Sequence, residues 1–242
     1  MNNLEFWNKQ ALKHKNSQLA TTPDLFAAQL EIKEILKYLS NGDTVLDIGC
    51  GNGFKDIEYC KQRDIIIKGF DYSEEMIKNA KQYENENLSF EQGDILELNE
   101  NILYDIVITN RCLINLATHE QQIHAIDNIY DVLKPGGKYL MMECTKQGLN
   151  KINEVRQNLE LETIKERWHN KYLDEEKIIE YVKQKFGAIE INNFNSTYFL
   201  ISRTINALEG CDYNSNINKI ASLLPVFGDY APLKLFIITK ER

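Results

Sequence analysis

Asp47 stands two residues ahead of Gly49 in "VLDIGCGNGF" (45–54), and Gly51 and Gly53 follow at every second position. Glycines spaced this way, directly after an apolar run, mark a backbone that turns sharply or is approached closely by a ligand. A phosphate loop needs Gly-Lys-Ser/Thr, but Gly53 is followed by Phe54, Lys55 and Asp56, with no hydroxyl for a magnesium ion. The dinucleotide fingerprint wants its third glycine where Phe54 stands, and an acid ahead of the loop opposes a pyrophosphate. The Asp47 carboxylate suits a ligand with positive charge, a sulfonium or an ammonium group. Elsewhere, "HEQQIH" (119–124) sets His119 and His124 five apart, off one helical face, so a zinc site is not expected. The densest polar-aromatic cluster is "ERWHNKYLDEE" (166–176), with Trp168, His169, Asn170 and Tyr172.

The elements that must position these groups follow two periods. "TVLDIG" (44–49) is a short β-branched strand, and "FKDIEYCKQR" (54–63) reads as a helix. "IIIKGFD" (65–71) is apolar throughout, as a parallel sheet requires. "SEEMIKNAKQY" (73–83) opens on Ser73 as N-cap with Glu74 and Glu75 in the first turn. "LSFEQGD" (88–94) and "YDIVITN" (104–110) are the third and fourth strands. "THEQQIHAIDNIYDVLK" (118–134) is an amphipathic helix stopped by Pro135-Gly136-Gly137, turn formers rather than ligand contacts. "KYLMMEC" (138–144) is the fifth strand. This alternation argues for a doubly wound α/β sheet. Residues 1–40 read as two helices, the second capped by Thr22 or Asp24, and 145–173 as a long polar stretch. A helix over 174–187, a strand over 188–195, a helix over 197–208 and a strand over 232–241 complete the reading.

The 242 residues are 43% hydrophobic, enough for one domain with a substantial core. A net charge of −8 gives no global attraction to nucleic acid or an anionic membrane. Five cysteines without a close pair suit a reducing compartment, without disulfides or a bound metal. The polar N-terminus lacks the apolar core of a signal peptide, and no run approaches the roughly 20 apolar residues of a membrane span. A cytoplasmic protein, monomer or homodimer, is the expectation.

Acid-x-Gly-x-Gly-x-Gly after the first strand resembles the first motif of class I S-adenosylmethionine-dependent methyltransferases. "GDILEL", "YDIVITNR" and "LKPGGKYLM" continue the resemblance in order over most of residues 43–143. The resemblance implies a Rossmann-like fold, a seven-stranded, mostly parallel sheet with helices on both faces. A helical cap (1–40), a cofactor core (41–144) and substrate-side insertions (145–173 and 196–231) would make up a single domain over 1–242. It implies S-adenosylmethionine as cofactor, held by Asp47, Gly49 and Gly51. Asp71 ends the second strand, where an acid accepts hydrogen bonds from ribose hydroxyls, with Tyr72 beside it. Asp94 and Ile95 would flank the adenine, and Asn110 and Arg111 would meet the methionine part. Met76 would pack on the adenine, unless it is an ordinary core methionine. Trp7 is expected near the methionine end, on a segment that folds over the cofactor; packing against the outer helices is the alternative.

In-line methyl transfer needs a held nucleophile, and a base helps where the acceptor is a hydroxyl or ammonium. His169 is the preferred base, against the alternative of a surface loop, and Glu143 at the end of strand five is the second candidate. Trp168, Asn170, Tyr172 and Tyr198 are expected to contact the acceptor. Arg111 and Arg203 would clamp an acidic group, or else bridge to neighbouring acids. The family usually joins its last two strands by a tight hairpin, so segment 196–231 reads as part of a lid. Relatives acting on nucleobase or glutamine amides carry Asn/Asp-Pro-Pro-aromatic, whereas Asn110 here precedes Arg111, Cys112 and Leu113. A small polar acceptor methylated on oxygen, less so on nitrogen, is therefore expected, without nucleic acid or membrane as partner. "NRCLINL" and "WHNKYLDEE" also resemble methyltransferases of bacterial surface-polysaccharide pathways, whose acceptors would be sugars or phosphorylated metabolites. RNA or protein methylation, and a non-catalytic cofactor-binding module, stay open beside this reading.

Overall fold

The computed structural model describes residues 1–241; Arg242, last residue of the expected domain, lies outside the described residues. Seven strands form one sheet in the order β3-β2-β1-β4-β5-β7-β6. They are β1 (Thr44–Ile48), β2 (Ile66–Asp71), β3 (Leu88–Gln92), β4 (Tyr104–Asn110), β5 (Leu133–Cys144), β6 (Gly187–Asn192) and β7 (Leu233–Lys240). β1 pairs in parallel with both β2 and β4, while β7 runs antiparallel to β5 and β6. The chain builds outward from β1 to β3, then crosses back to place β4 on the other side of β1. Their carboxyl ends therefore diverge, and an open α/β sheet binds its ligand in that crevice.

Apolar alternation divides the strands between two cores. Val45, Ile106, Ile108, Leu140 and Met142 face one core with Ile35 and Tyr59. Leu46, Ile48, Val107, Tyr139 and Met141 face the other, with Ile126, Ile129, Ile178 and Phe186. A sheet buried on both faces needs apolar residues at both parities, and these strands supply them. The helices are α1 (Asn3–His14), α2 (Leu25–Ile35), α3 (Phe54–Cys60), α4 (Glu74–Ala80), α5 (His119–Val132), α6 (Lys146–Asn158), α7 (Glu175–Phe186), α8 (Ser196–Arg203), α9 (Ile205–Leu208) and α10 (Asn216–Ala221).

The structure departs from the sequence reading in three places. The polar stretch 145–173 opens as α6, capped by Thr145, whose hydroxyl accepts from Gly148 N at 3.1 Å. Helix α5 ends at Val132, and β5 begins at Leu133 rather than Lys138; the Pro-Gly-Gly residues bulge out where Tyr104 pairs Leu133 and Ile106 pairs Lys138. The helix expected over 197–208 breaks at Thr204, and α10 adds a further helix to the insertion. Asp24, rather than Thr22, caps α2, accepting from Ala27 N at 3.0 Å.

Candidate functional site

The loop after β1 bends through left-handed backbone at Gly49 (φ 79°) and Gly51 (φ 59°), a region that costs little only for glycine. Close approach is real, but protein atoms make part of it. A Cβ on Gly49 would lie 2.8 Å from Cys112 Cβ, and one on Gly51 would lie 2.8 Å from Thr21 Cγ2. A Cβ on Gly53 would lie 2.5 Å from Phe90 Cζ, so its missing side chain makes room for the core and not for a ligand.

Asp71 links this loop to the end of β2. Its carboxylate accepts from Gly51 N at 2.9 Å and from Ser73 N at 2.8 Å. Burial outweighs those donors and raises its pKa to about 6. Asp94 lies exposed at the end of β3, accepting from Leu96 N at 2.9 Å, with Ile95 buried beside it. Asp47 is buried next to Asp56, the first-turn acid of α3. Burial raises the proton affinity of both acids, and the Asp47 charge raises Asp56 further. Burial and mutual repulsion thus disfavour ionisation of both acids at once.

These groups line a cavity of about 180 Å³ at the carboxyl ends of β1, β2 and β4. Asp47, Gly49, Gly51, Asp71, Tyr72, Met76, Asp94, Ile95, Asn110, Arg111 and Trp7, separated widely in sequence, all reach it. Met76 does both things considered for it, packing with Ala11 and Ala20 while facing the cavity. Asp47 Oδ1, Tyr72 Oη and Asn110 Oδ1 are buried on this lining without a hydrogen-bond partner. An acidic wall with spare acceptors fits a ligand rich in hydroxyl and amine donors that carries positive charge. The site therefore fits S-adenosylmethionine.

Arg111 takes a left-handed conformation (φ 55°), rare for a side-chain-bearing residue, at the end of β4. Its guanidinium forks onto Glu31 of α2, with Nη1 and Nη2 at 2.5 and 2.9 Å from the two oxygens. Lys55 Nζ reaches the same carboxylate at 2.6 Å. Burial would raise the Glu31 pKa, but Arg111 and Lys55 overcome it and hold it at about 2. Arg203 likewise bridges to Asp24 at 3.1 Å, between the rings of Phe199 and Tyr213. Both arginines thus have a carboxylate partner within the chain.

A second cavity of about 250 Å³ adjoins the first, sharing Trp7, Thr21, Arg111 and Asn115 in its lining. His169, Asn170, Tyr172 and Arg203 line it. The His169 ring is buried, stacked on Phe6 with centroids 4.4 Å apart, and its Nδ1 has no partner. Burial and then the Arg167 charge lower its pKa, so the imidazole is neutral at pH 7. Asn3 holds this edge in place, donating to the backbone oxygens of Asn115 at 2.8 Å and His169 at 3.0 Å. Trp7 Nε1 donates to Asn115 Oδ1 at 3.0 Å, tying α1 to both cavities.

Three expected site residues lie elsewhere. Glu143 lines neither cavity: it is fully buried and accepts from the amides of Cys112, Leu113 and Ile114 at 2.9, 3.0 and 3.4 Å. Burial, opposed by those amides, raises its pKa to about 7. Its carboxylate oxygens are engaged by these amides and hold the turn after Arg111. Trp168 is 58% exposed outside both linings, its ring edge on Phe6 and His169. Tyr198 is buried with its hydroxyl donating to Asp24, a support for the Arg203 pair and not a cavity wall. The sequence reading missed Glu31, Thr21, Cys112, Asn115, Lys165, Arg167 and Asn195, which line one cavity or both. Glu31 sits on an ordinary amphipathic helix, and nothing local marks it.

Residues 39–186 match the family described as a methyltransferase domain. Over 118 residues the chain is 36% identical to an arsenite methyltransferase of Halobacterium salinarum, a match covering 45% of this chain and 29% of that protein. It is 33% identical over 145 residues to a malonyl-acyl-carrier-protein O-methyltransferase of Priestia megaterium, covering 55% of this chain and 51% of the relative. The chain thus spans about half, or less, of the length of these curated relatives. The magnesium protoporphyrin IX methyltransferase of Synechocystis PCC 6803, solved with bound SAH, aligns with a TM-score of 0.59 at 14% identity over 98% of this chain and 94% of that one. At that identity the likeness is one of fold.

Proposed function

This chain belongs to the methyltransferase-domain family, and on that premise we propose that it transfers a methyl group from S-adenosylmethionine to a small polar acceptor, on oxygen rather than nitrogen. One observation carries the reading: an acidic cavity at the carboxyl ends of β1, β2 and β4 shares a wall with a second cavity that holds a buried, neutral histidine. In the first, Asp71 would accept from the ribose hydroxyls, Asp94 and Ile95 would flank the adenine, and Asp47 and Asn110 would face the methionine end. Bound there, the cofactor would supply an electrophilic methyl group on a sulfonium, with the neutral thioether as leaving group. His169 takes the hydroxyl proton on its unpartnered nitrogen. Trp7 forms part of the shared wall, and Phe6 packs against Trp7 and His169 behind it.

The narrower reading, an acceptor from surface-polysaccharide synthesis in the cytoplasm, rests on "NRCLINL" and "WHNKYLDEE". A second cavity of about 250 Å³ favours a small molecule over an RNA or protein strand. No helix among the described residues is long and apolar enough to cross a membrane. The test is calorimetric binding of S-adenosylhomocysteine followed by an acceptor screen for its release. Absence of binding would leave a scaffold without cofactor; turnover only of tRNA or protein would remove the small-molecule acceptor.

A further inference from the structure

The two cavities that share Trp7, Thr21, Arg111 and Asn115 differ in charge. Asp47, Asp71 and Asp94 leave the first acidic, although Lys55 and Arg111 on its lining share the single Glu31 carboxylate. The second is lined by Lys165, Arg167, Arg111 and Arg203 against only Asp24 and Glu31. Those two acids are consumed by Arg203 and by Arg111 with Lys55. Lys165 and Arg167 are left: among the described residues no carboxylate pairs with either. In a chain of net charge −8, Lys165 and Arg167 both lie on the lining of this one cavity.

Two buried polar atoms beside them point to a ligand independently. His169 Nδ1 and Asn195 Oδ1 belong to side chains that are 7% and 3% exposed, line this cavity and have no partner. Buried polar groups are ordinarily satisfied, so their orphaned atoms mark where a ligand supplies the missing bonds. An amide oxygen can only accept, which calls for a hydroxyl or amine hydrogen. The cations call for an oxyanion, and a guanidinium fork beside an ammonium suits a carboxylate or phosphate.

Resting on the methyltransferase reading above, we infer that the acceptor is an anionic, hydroxyl-bearing small molecule, its acid group held by Lys165 and Arg167 and its hydroxyls by Asn195 and His169. Lys165 and Arg167 are then residues that determine acceptor class, while the reacting hydroxyl lies on the His169 side, toward the shared wall.

The experiment follows fluorescence of the chain's two tryptophans, Trp7 and Trp168, which lie on the shared wall and next to Arg167. The full chain, saturated with S-adenosylhomocysteine at constant ionic strength, is titrated with glucose 6-phosphate, glucuronate and glucose, and separately with a short oligouridylate. A saturable response to glucose 6-phosphate or glucuronate but not to glucose is expected, and which of the two binds more tightly separates phosphate from carboxylate. In the double variant Lys165→Gln/Arg167→Gln that affinity should fall at least tenfold, with thermal midpoint and S-adenosylhomocysteine affinity unchanged, since both residues are exposed. No response to either anion, an equal response to glucose, or unchanged anion affinity in the variant would overturn the inference. Tighter binding of the oligouridylate, lost in the same variant, would overturn it in favour of an RNA acceptor. If the wild-type chain fails to bind S-adenosylhomocysteine, the methyltransferase reading itself has failed; if it binds and the anions do not, only this inference has.

Discussion

Asp71 and His169 carry the residue-scale expectations, and both titrate where their charge matters. Asp71→Ala removes the carboxylate proposed to accept from the ribose and releases Gly51 N, so S-adenosylhomocysteine affinity should fall by about 1–3 kcal/mol in calorimetry. On that proposal the ionised carboxylate is the binding form, and burial has raised its pKa to about 6. Affinity should therefore weaken as pH falls below that value, by up to about tenfold per unit. Flat affinity between pH 5 and 7 would mean that Asp71 does not meet the cofactor. His169 moves the opposite way: burial and Arg167 lower its pKa below the ordinary 6.5, so the base form dominates at neutrality. With an acceptor in hand, kcat should be level near pH 7 and fall on the acid side. His169→Ala should lower kcat by about 10²–10⁴-fold and abolish that acid limb, with cofactor affinity nearly unchanged. A variant that turns over normally would leave the acceptor proton to water.

At the scale of elements, the turn after β4 and helix α1 decide whether the two cavities stay joined. Glu143 on β5 gathers three successive amides, and thereby sets Arg111 in its left-handed conformation and Asn115 under Trp7. Glu143→Gln offers those amides one oxygen and an opposing NH2 group, at a cost of about 1–3 kcal/mol. Thermal unfolding should shift down and cofactor KM should rise, while the acid limb from His169 persists. A variant that instead loses turnover at unchanged stability and cofactor KM would restore Glu143 as a base. Helix α1 is tied by side chains rather than by a broad apolar face: Asn8 meets Ser73 at 2.6 Å, Asn79 reaches Ala11 O at 3.1 Å, and Trp7 reaches Asn115. An element held this way opens at low free energy, and a ligand beneath it should close it. Amide exchange over residues 3–14 should slow when S-adenosylhomocysteine binds; equal protection with and without it would show that α1 is a fixed wall.

For the whole molecule, Glu31 is the point where cap, core and both cavities meet. It sits at 0% exposure on α2 and joins Lys55 of α3, Asn110 at the end of β4 and Arg111 beyond it. A carboxylate held at about 2 in the fold and near its ordinary 4.5 when unfolded stabilises the protein at neutral pH. That contribution is complete above the unfolded value and is lost as pH falls from 4.5 through about 2. Glu31→Ala leaves two part-buried cations facing each other and should destabilise the chain by about 3–5 kcal/mol in denaturant unfolding at pH 7. The deficit should shrink as pH is lowered. A loss under about 1 kcal/mol would mean that solvent reaches the Arg111–Lys55 pair and screens it.

Local order was legible because periodicity and turn chemistry are local. The alternation of Val45, Leu46 and Ile48, the Ser73 cap, and the glycines at 49 and 51 fixed the strands, the helices and the crevice where Asp47, Asp71, Asp94 and Asn110 gather. All of these groups sit at strand ends, so a strand order sufficed to place them. The acceptor side was legible only as composition. His169 could be singled out by type, but its neutrality comes from Phe6 and Arg167, and the empty bond at Asn195 from packing between distant segments. Glu143 and Tyr198 carry side chains fit for chemistry, and only tertiary contacts show that backbone amides and Asp24 occupy them. Whether a charged side chain is spent inside the fold or left for a ligand depends on which residues stand opposite it. For Glu31 and Arg111, 80 positions apart, that is settled by the packing of α2 against the end of β4 and by nothing in the neighbouring sequence.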